Sequence, residues 1–415
     1  MGQEQFKVYG YRWVVLAAFM LVIAANQIMW ITFAAITGVA ASHYGVSDLA
    51  IGLLSMSFMI VYIFVSIPAS WAIDTWGIRT AVGIGAVLTG VFGLARGLAA
   101  DNYTLVLVFQ IGIAVAQPFI LNAITSVAAR WFPIQERATA SGFGTLAMYL
   151  GIVLGLMLTP YILLQSGLNN MLLYYGIFSV IAAILFLIFA RERPPTPACT
   201  PDQEERSLVW DGLKQILRSR DFLLLMVIFF IGLGVFNGVT TWIEDILRPR
   251  GFTITQAGIT GGLMVIGGVV GALLLPALSD RVRARVPFII VTLGAAALGL
   301  LGIAFAPNYS VLLAAAFTMG FFLLSAGPIG FQYGAEIAYP TPEGTSNGLL
   351  LMMGQISGII LILAMDSFKD PITGSMTSSL LALVGLMLVG LLLATRLKES
   401  KLLLSGPAST VKTGE

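Results

Sequence analysis

The sequence predicts an all-α membrane protein of twelve spans arranged as two six-helix halves, and three observations predict it. Of 415 residues 58% are hydrophobic and 10% charged, against roughly 45–50% and about 25% in soluble domains. Twelve apolar stretches of about 20 residues, the length that crosses a bilayer, fall near 13–37, 49–73, 80–99, 104–129, 139–164, 172–190, 222–247, 255–278, 287–305, 309–335, 345–366 and 376–395. An offset of 206 residues carries Asp74 onto Asp280 and Arg79 onto Arg285 in the loop after the second span of each half. The same offset carries Arg130 onto Glu336, Arg137 onto Glu343, Thr139 onto Thr345 and Gly142 onto Gly348 around the loop after the fourth span.

Lys7 and Arg12 precede an apolar stretch too long for a signal peptide, so the first span is read as retained. The 45 glycines exceed the roughly 7% average and suit helices whose backbones approach closely. Between spans six and seven lies RERPPTPACTPDQEERSLVWDGLKQILRSRD, whose prolines and mixed charges mark a linker. The organisation is therefore a first half over 1–190, a cytoplasmic linker over 191–221 and a second half with its tail over 222–415. Val209, Leu213, Ile216 and Leu217 share a helical face, which fits a helix lying on the membrane surface; a solvated tether fits equally. With both termini in the cytoplasm, all of the 22 Lys and Arg except Arg96, Arg248, Arg250 and Lys369 lie on that side, as the positive-inside rule favours. The Gly-rich spans and short loops are read, without a physical warrant, as those of a prokaryotic plasma membrane protein.

A net charge of +2 provides no field to steer nucleic acid. One Cys (Cys199) and one His (His43, read as a loop residue) supply neither a disulfide nor a metal site, and no cofactor is implied. No nucleophile and base pair at depth, so an enzyme is not expected. The partners expected are the bilayer and a small-molecule substrate, with the protein a monomer.

Polar residues at mid-span are costly unless they face a cavity or a partner. Asn26, Trp30, Gln117, Tyr149, Asn237 and Gln355 all lie near span centres. Asn26 and Trp30 are four apart and share a helical face, so an aromatic ring stands beside amides, an arrangement that holds a cation by its π face. No Lys or Arg is placed at mid-depth, which favours organic cations or neutral polar solutes over anions. Asn237, Thr241 and Glu244 share a face of span seven, where Glu244 would attract a cation or carry a coupling proton, or simply pair with Arg248 four residues on.

The segments SWAIDTWGIRT (70–80) and PALSDRVRAR (276–285) resemble the loop signature of major facilitator transporters, with Asp74, Gly77 and Arg79 kept in the first and Asp280, Arg281 and Arg285 in the second. A narrower resemblance is to the FLVCR group of haem and choline transporters and its lysosomal relatives. It is carried by AIDTWGIR, AARWFPIQERATASG and FQYGAEIAYPTPEGTSNGLLLMMGQISGI. The wider resemblance implies a central site between halves, lined by spans 1, 4, 7 and 10 with 5 and 11 beside them. The narrower one implies that Asn26, Trp30 and Gln355 match an Asn-x-x-x-Trp of span 1 and a Gln of span 11. The chain departs from that group where Tyr149 replaces a Gln and Asn237 a cage Tyr, so choline itself is not carried over.

An Asp facing an Arg across the inner mouth can latch halves in one state. Asp74, Arg79, Arg130, Asp280, Arg281, Arg285 and Glu336 are the expected cytoplasmic gate, or else static inter-helix pairs. The function expected is alternating-access transport of a small amine or quaternary ammonium, with a neutral polar metabolite or vitamin or a monocarboxylate as alternatives. A non-transporting receptor or scaffold of the same fold is the alternative of another class.

Overall fold

The computed structural model describes residues 8–196, 216–339 and 343–400. The surface helix expected around Val209 and Leu213 falls mostly outside them. The described chain is helical: α1 (Arg12–Ile31), α2 (Thr37–Tyr44), α3 (Asp48–Trp76), α4 (Ile78–Leu98), α5 (Tyr103–Leu121), α6 (Ile124–Trp131), α7 (Ile134–Phe189), α8 (Arg220–Thr241), α9 (Ile243–Leu247), α10 (Ile254–Val282), α11 (Val286–Phe305), α12 (Tyr309–Ala338), α13 (Glu343–Ser367) and α14 (Thr377–Ala394). Among the described residues eleven helices are long and apolar enough to span a membrane. The stretch Ile134–Phe189 holds two spans, because Gly167 at φ 79° and ψ 168° interrupts its helical backbone. The count is thus consistent with the twelve expected.

Three expected spans are broken. The first stops at Ile31 and resumes at Thr37, so His43 sits in the last turn of α2 and not in a loop. The fourth parts between α5 and α6 at Asn122, whose side-chain amide donates to Ser66 and Ser70 hydroxyls at 3.1 and 3.0 Å. The seventh parts at Trp242. Broken spanning helices free backbone groups that must find other partners in a membrane interior. Helix starts carry the repeat further: Asn102 caps α5 through the Leu105 N–H at 3.1 Å, and Asn308, 206 residues on, caps α12 through the Val311 N–H at 3.0 Å.

The chain packs as two compact units. Unit 1 comprises Met1–Glu205, Asn237–Leu263 and Gly358–Thr377; unit 2 comprises Arg206–Phe236, Met264–Ser357 and Ser378–Glu415. Packing therefore divides the chain differently from the sequence repeat, because α9 and the ends of α8, α10 and α13 nearest to it group with the first-half helices. The unit 1 core gathers Phe19, Ile23, Val82, Ile120, Trp131 and Phe186. That of unit 2 gathers Phe222, Leu225, Ile289, Leu293 and Tyr333. In a bilayer such contacts are driven by van der Waals packing, which rewards small residues at crossings. A Cβ on Gly176 of α7 would lie 2.7 Å from the Gly93 carbonyl oxygen of α4, so the backbones approach this closely only because position 176 is glycine.

The loops after α3 and α10 turn on equivalent positions. Gly77 takes φ +86°, where glycine is unstrained; Arg283, 206 residues later, takes φ +54°, where a side chain is strained. Arg283→Gly is therefore expected to raise the stability of unit 2 by about 1 kcal/mol, read as a higher thermal midpoint.

Candidate functional site

One stripe of α3 receives two of the candidate residues of unit 1, Trp30 and Asn237, together with Trp242. Gly52, Ser55 and Met59 follow at i, i+3 and i+7 and so share a face. The Trp30 indole N–H donates to the Ser55 carbonyl at 3.2 Å, and the Ser55 hydroxyl returns a bond to the Trp30 carbonyl at 3.4 Å. Trp242 lies against Gly52, where a Cβ would meet its ring at 2.7 Å, and its indole N–H donates to the Ile362 carbonyl at 3.1 Å. A Cβ on Gly358 would lie 2.6 Å from Met59 Sδ and 2.9 Å from Asn237 Nδ2. Trp30, Trp242 and Asn237 thus converge on the same face of α3. Both indoles have their only polar atom bound to backbone, which fixes the rings and leaves their faces to make apolar or cation–π contacts.

Asn26 is fully buried and bonded inside its own half. Its amide donates to the Thr89 hydroxyl and the Ile113 carbonyl at 3.3 and 3.4 Å, and its oxygen accepts from Gln27 at 3.3 Å. It ties α1 to α4 and α5. Gln117 is buried, and among the described residues its amide has no hydrogen bond; Tyr149 is half-buried on α7. Thr241 is buried at the α8 break, with its hydroxyl unpartnered among the described residues. Gln355 is half-buried in unit 2.

The residue whose partners sequence reasoning missed is Arg96. Expected at the outer end of the third span, it occupies the last turn of α4 with no solvent exposure. Its guanidinium donates to the Met29 carbonyl at 3.1 Å and the Gln110 side-chain oxygen at 2.5 Å, and it lies over the Phe33 ring. Gln110 also donates to the Met29 carbonyl, at 3.1 Å. Met29 lies two residues before α1 stops, so Arg96 and Gln110 satisfy a carbonyl at a broken helix end, the negative end of its dipole. Neither spacing nor charge pattern showed this, because Arg96 and Gln110 stand 67 and 81 positions from Met29.

Beyond the break, α2 and α9 close one end of unit 1. The Glu244 N–H donates to the Ala34 carbonyl at 3.4 Å, and the Gly38 N–H donates to the Glu244 carboxylate at 2.9 Å. Around them Lys369 bridges Asp48 and Asp245 at 2.7 and 2.9 Å. Arg248 reaches Asp48 at 2.7 Å and Glu244 at 3.4 Å, and also contacts Asp245. The pairing of Glu244 with Arg248 is one of the two readings of that carboxylate. Three carboxylates face two cations, and a cavity of about 780 Å³ lined by Gly38, Ser42, Asp48, Glu244 and Arg248 adjoins them. Burial pushes the Glu244 carboxyl above the usual range, against the opposing pull of Arg248 and the Gly38 N–H. Burial works against charging Lys369 too, but Asp48 and Asp245 hold its pKa above the ordinary amine value.

A carboxyl whose pKa is raised in the closed end binds its proton more tightly there than when that end is open. The stabilisation it lends is complete below the ordinary carboxylate range and is lost as pH rises through the raised pKa of Glu244. Thiol labelling of Thr241→Cys, with Cys199 replaced by Ser, is therefore expected to rise with pH more steeply than the ionisation of the thiol itself accounts for, and Glu244→Gln to remove that excess.

Of the expected cytoplasmic gate, Arg130 pairs inside unit 1, and Asp280, Arg285 and Glu336 pair inside unit 2. In unit 1 Arg130 contacts Glu192, whose carboxylate accepts the Ile78 and Arg79 N–H groups at 3.1 and 2.8 Å and so caps α4. Asp74 and the Arg79 side chain are exposed. In unit 2 Arg285 is bonded to Asp280 at 2.5 Å and Glu336 at 3.1 Å, while Arg281 is exposed. Glu399 accepts the Arg285 and Val286 N–H groups at 3.0 and 3.2 Å and caps α11. Glu192 and Glu399, both missed in the sequence, do the same work in the two repeats, and the sign exchange from Arg130 to Glu336 follows a change of partner.

The chain is 30% identical over 388 residues to solute carrier family 49 member A3 of Xenopus tropicalis, covering 89% of this chain and 80% of that protein. It is 29% identical over 423 residues to the choline/ethanolamine transporter FLVCR1 of Mus musculus, covering 92% and 75%. A crystal structure of a bacterial homologue of the human lysosomal transporter Spinster, inward-facing and unoccupied, superposes with a TM-score of 0.77 at 16% identity over 94% of this chain and 98% of that one. Repeated loops, capped and broken spanning helices and this fold agree with the match of residues 13–362 to one family model: the chain belongs to the Major Facilitator Superfamily.

Proposed function

We propose that the protein carries a small organic cation, an amine or quaternary ammonium of the choline or ethanolamine class, across the membrane by alternating access. The observation that supports it most is the face of α3 on which Trp30, Trp242 and Asn237 meet, with both indoles locked by backbone carbonyls. Fixed ring faces beside an amide hold an ammonium without a carboxylate. The relatives named as choline/ethanolamine transporters give the substrate class its second support. Arg96 does not argue for an anion, because Met29, Phe33 and Gln110 enclose its charge. In this reading Gln117, Tyr149 and Thr241 complete the substrate surface of unit 1, and Glu244 draws cations to the outer end. Both termini face the cytoplasm, which puts the Asp48–Asp245–Lys369 cluster outside and the Glu192 and Glu399 pairs inside.

Thermal stabilisation of the purified protein by choline, ethanolamine, neutral vitamins and small carboxylates tests it, since a ligand bound only by the folded state raises stability. Amines are expected to raise the midpoint in wild type, and Trp30→Ala to lose most of that rise. A shift with carboxylates alone, indifferent to Trp30, overturns the cation reading.

A further inference from the structure

We infer that unit 1 carries a built site for one anionic phospholipid, on the bilayer-facing groove between α4 and the second span of α7. The groove has a volume of about 490 Å³. Its floor is α4, where Arg79, Gly83 and Val87 form one row at four-residue spacing and Thr80, Ile84 and Leu88 the next; Leu187 of α7 forms the wall. The polar residues all stand at one end. The groove therefore has a charged mouth and an apolar body, the division of a phospholipid into head and tail.

Its length fits the same occupant. Nine residues separate Arg79 from Leu88, about 13 Å along a helix at 1.5 Å per residue, close to half of a hydrocarbon core about 30 Å thick. One acyl chain of one leaflet fills that depth. Trp71 and Trp76, both exposed and packed edge to face with ring centroids 5.4 Å apart, stand at the mouth end of the neighbouring α3, at the level where aromatic side chains mark the headgroup region.

The repeat provides the internal control. Arg285 occupies the position of Arg79 in unit 2, yet it is buried and held by Asp280 and Glu336. Arg79 is exposed, and among the described residues its guanidinium has no ion-pair partner. Only its backbone N–H is engaged, by Glu192. Where α4 has Gly83, whose added Cβ would meet Leu187 at an ordinary 3.5 Å, α11 has the buried Ile289. The first repeat has thus both the free cation and the missing side chain, and the second has neither. A guanidinium at the headgroup level selects a phosphate that carries net negative charge over a zwitterionic one.

Native mass spectrometry of the protein released from nanodiscs of equimolar phosphatidylglycerol and phosphatidylcholine tests this, whatever solute is transported. Wild type is expected to retain phosphatidylglycerol preferentially, and Arg79→Gln to lose about fivefold of that retention, the factor one cation contributes near an anionic surface. Gly83→Leu, which fills the groove, is expected to abolish retention of either lipid. Leu187→Trp fills it from the exposed wall and serves if the Gly83 variant does not fold. Arg193→Gln, an exposed charge outside the groove, is expected to change nothing. Equal loss in Arg79→Gln and Arg193→Gln would mean diffuse attraction and overturn the site, as would unchanged retention when the groove is filled.

Discussion

Asp245→Asn is expected to open the end of unit 1 closed by α2 and α9, raising the labelling rate of Thr241→Cys about a hundredfold. Asp245 is fully buried and shared by Arg248 and Lys369, so its neutralisation leaves two cations with Asp48 and Glu244 alone. Breaking one side of a buried pair costs about 3–5 kcal/mol. Arg248 is about a third exposed, which places the loss at the lower end, about 3 kcal/mol. At 1.4 kcal/mol per tenfold that is about two decades in the open fraction. Because Thr241 is almost inaccessible in the closed end, labelling reads that fraction directly. Unchanged labelling would make the cluster a static surface network with no part in gating.

Gly320→Val is expected to prevent folding of unit 2, seen as loss of monodisperse protein after extraction. A Cβ at Gly320 of α12 would lie 1.7 Å from the Met264 carbonyl oxygen of α10. A backbone oxygen within a helix cannot turn aside, so the two helices must separate along their crossing. Overpacking of this kind costs about 3 kcal/mol or more when backbone has to move. Gly348→Ala provides the contrast: its Cβ would meet nothing within 4 Å, and the exchange is expected to be neutral or slightly stabilising.

The spans were legible because hydropathy records side chains, and the division at Gly167 was legible because polar residues flank it. The breaks after Ile31 and at Trp242 were not, because the apolar run continues through both. What changes there is backbone bonding, and the groups that replace the lost bonds come from Arg96 and Gln110 on other helices. Arg96 read as a charge at the outer end of its span; its enclosure by Met29 and Phe33 depends on helices that the sequence does not bring together. Among the gate residues, Asp280 and Arg285 could be read as a pair, since five positions separate them. Their counterpart Glu399 stands 114 residues from Arg285 in what reads as a tail, and Glu192 stands at the start of what reads as a linker. The cluster of Asp48, Asp245 and Lys369 had the same obstacle, with partners up to 321 residues apart. Trp30 was legible as an aromatic beside amides, but the direction of Asn26, into α4 and α5, depends on which neighbour each face of α1 meets.

The cap that Glu399 places on α11 sets where this protein can be cut or extended. Tyr333 donates to the Lys398 carbonyl at 2.7 Å, and Glu399 holds the first N–H groups of a helix more than a hundred positions upstream. A reporter or affinity tag joined directly after α14, at Ala394, would remove both contacts while leaving every spanning segment intact. Joined after Ser400, six residues past the end of α14, it would keep them, and that junction is the safer of the two by the worth of a helix cap, about 1 kcal/mol.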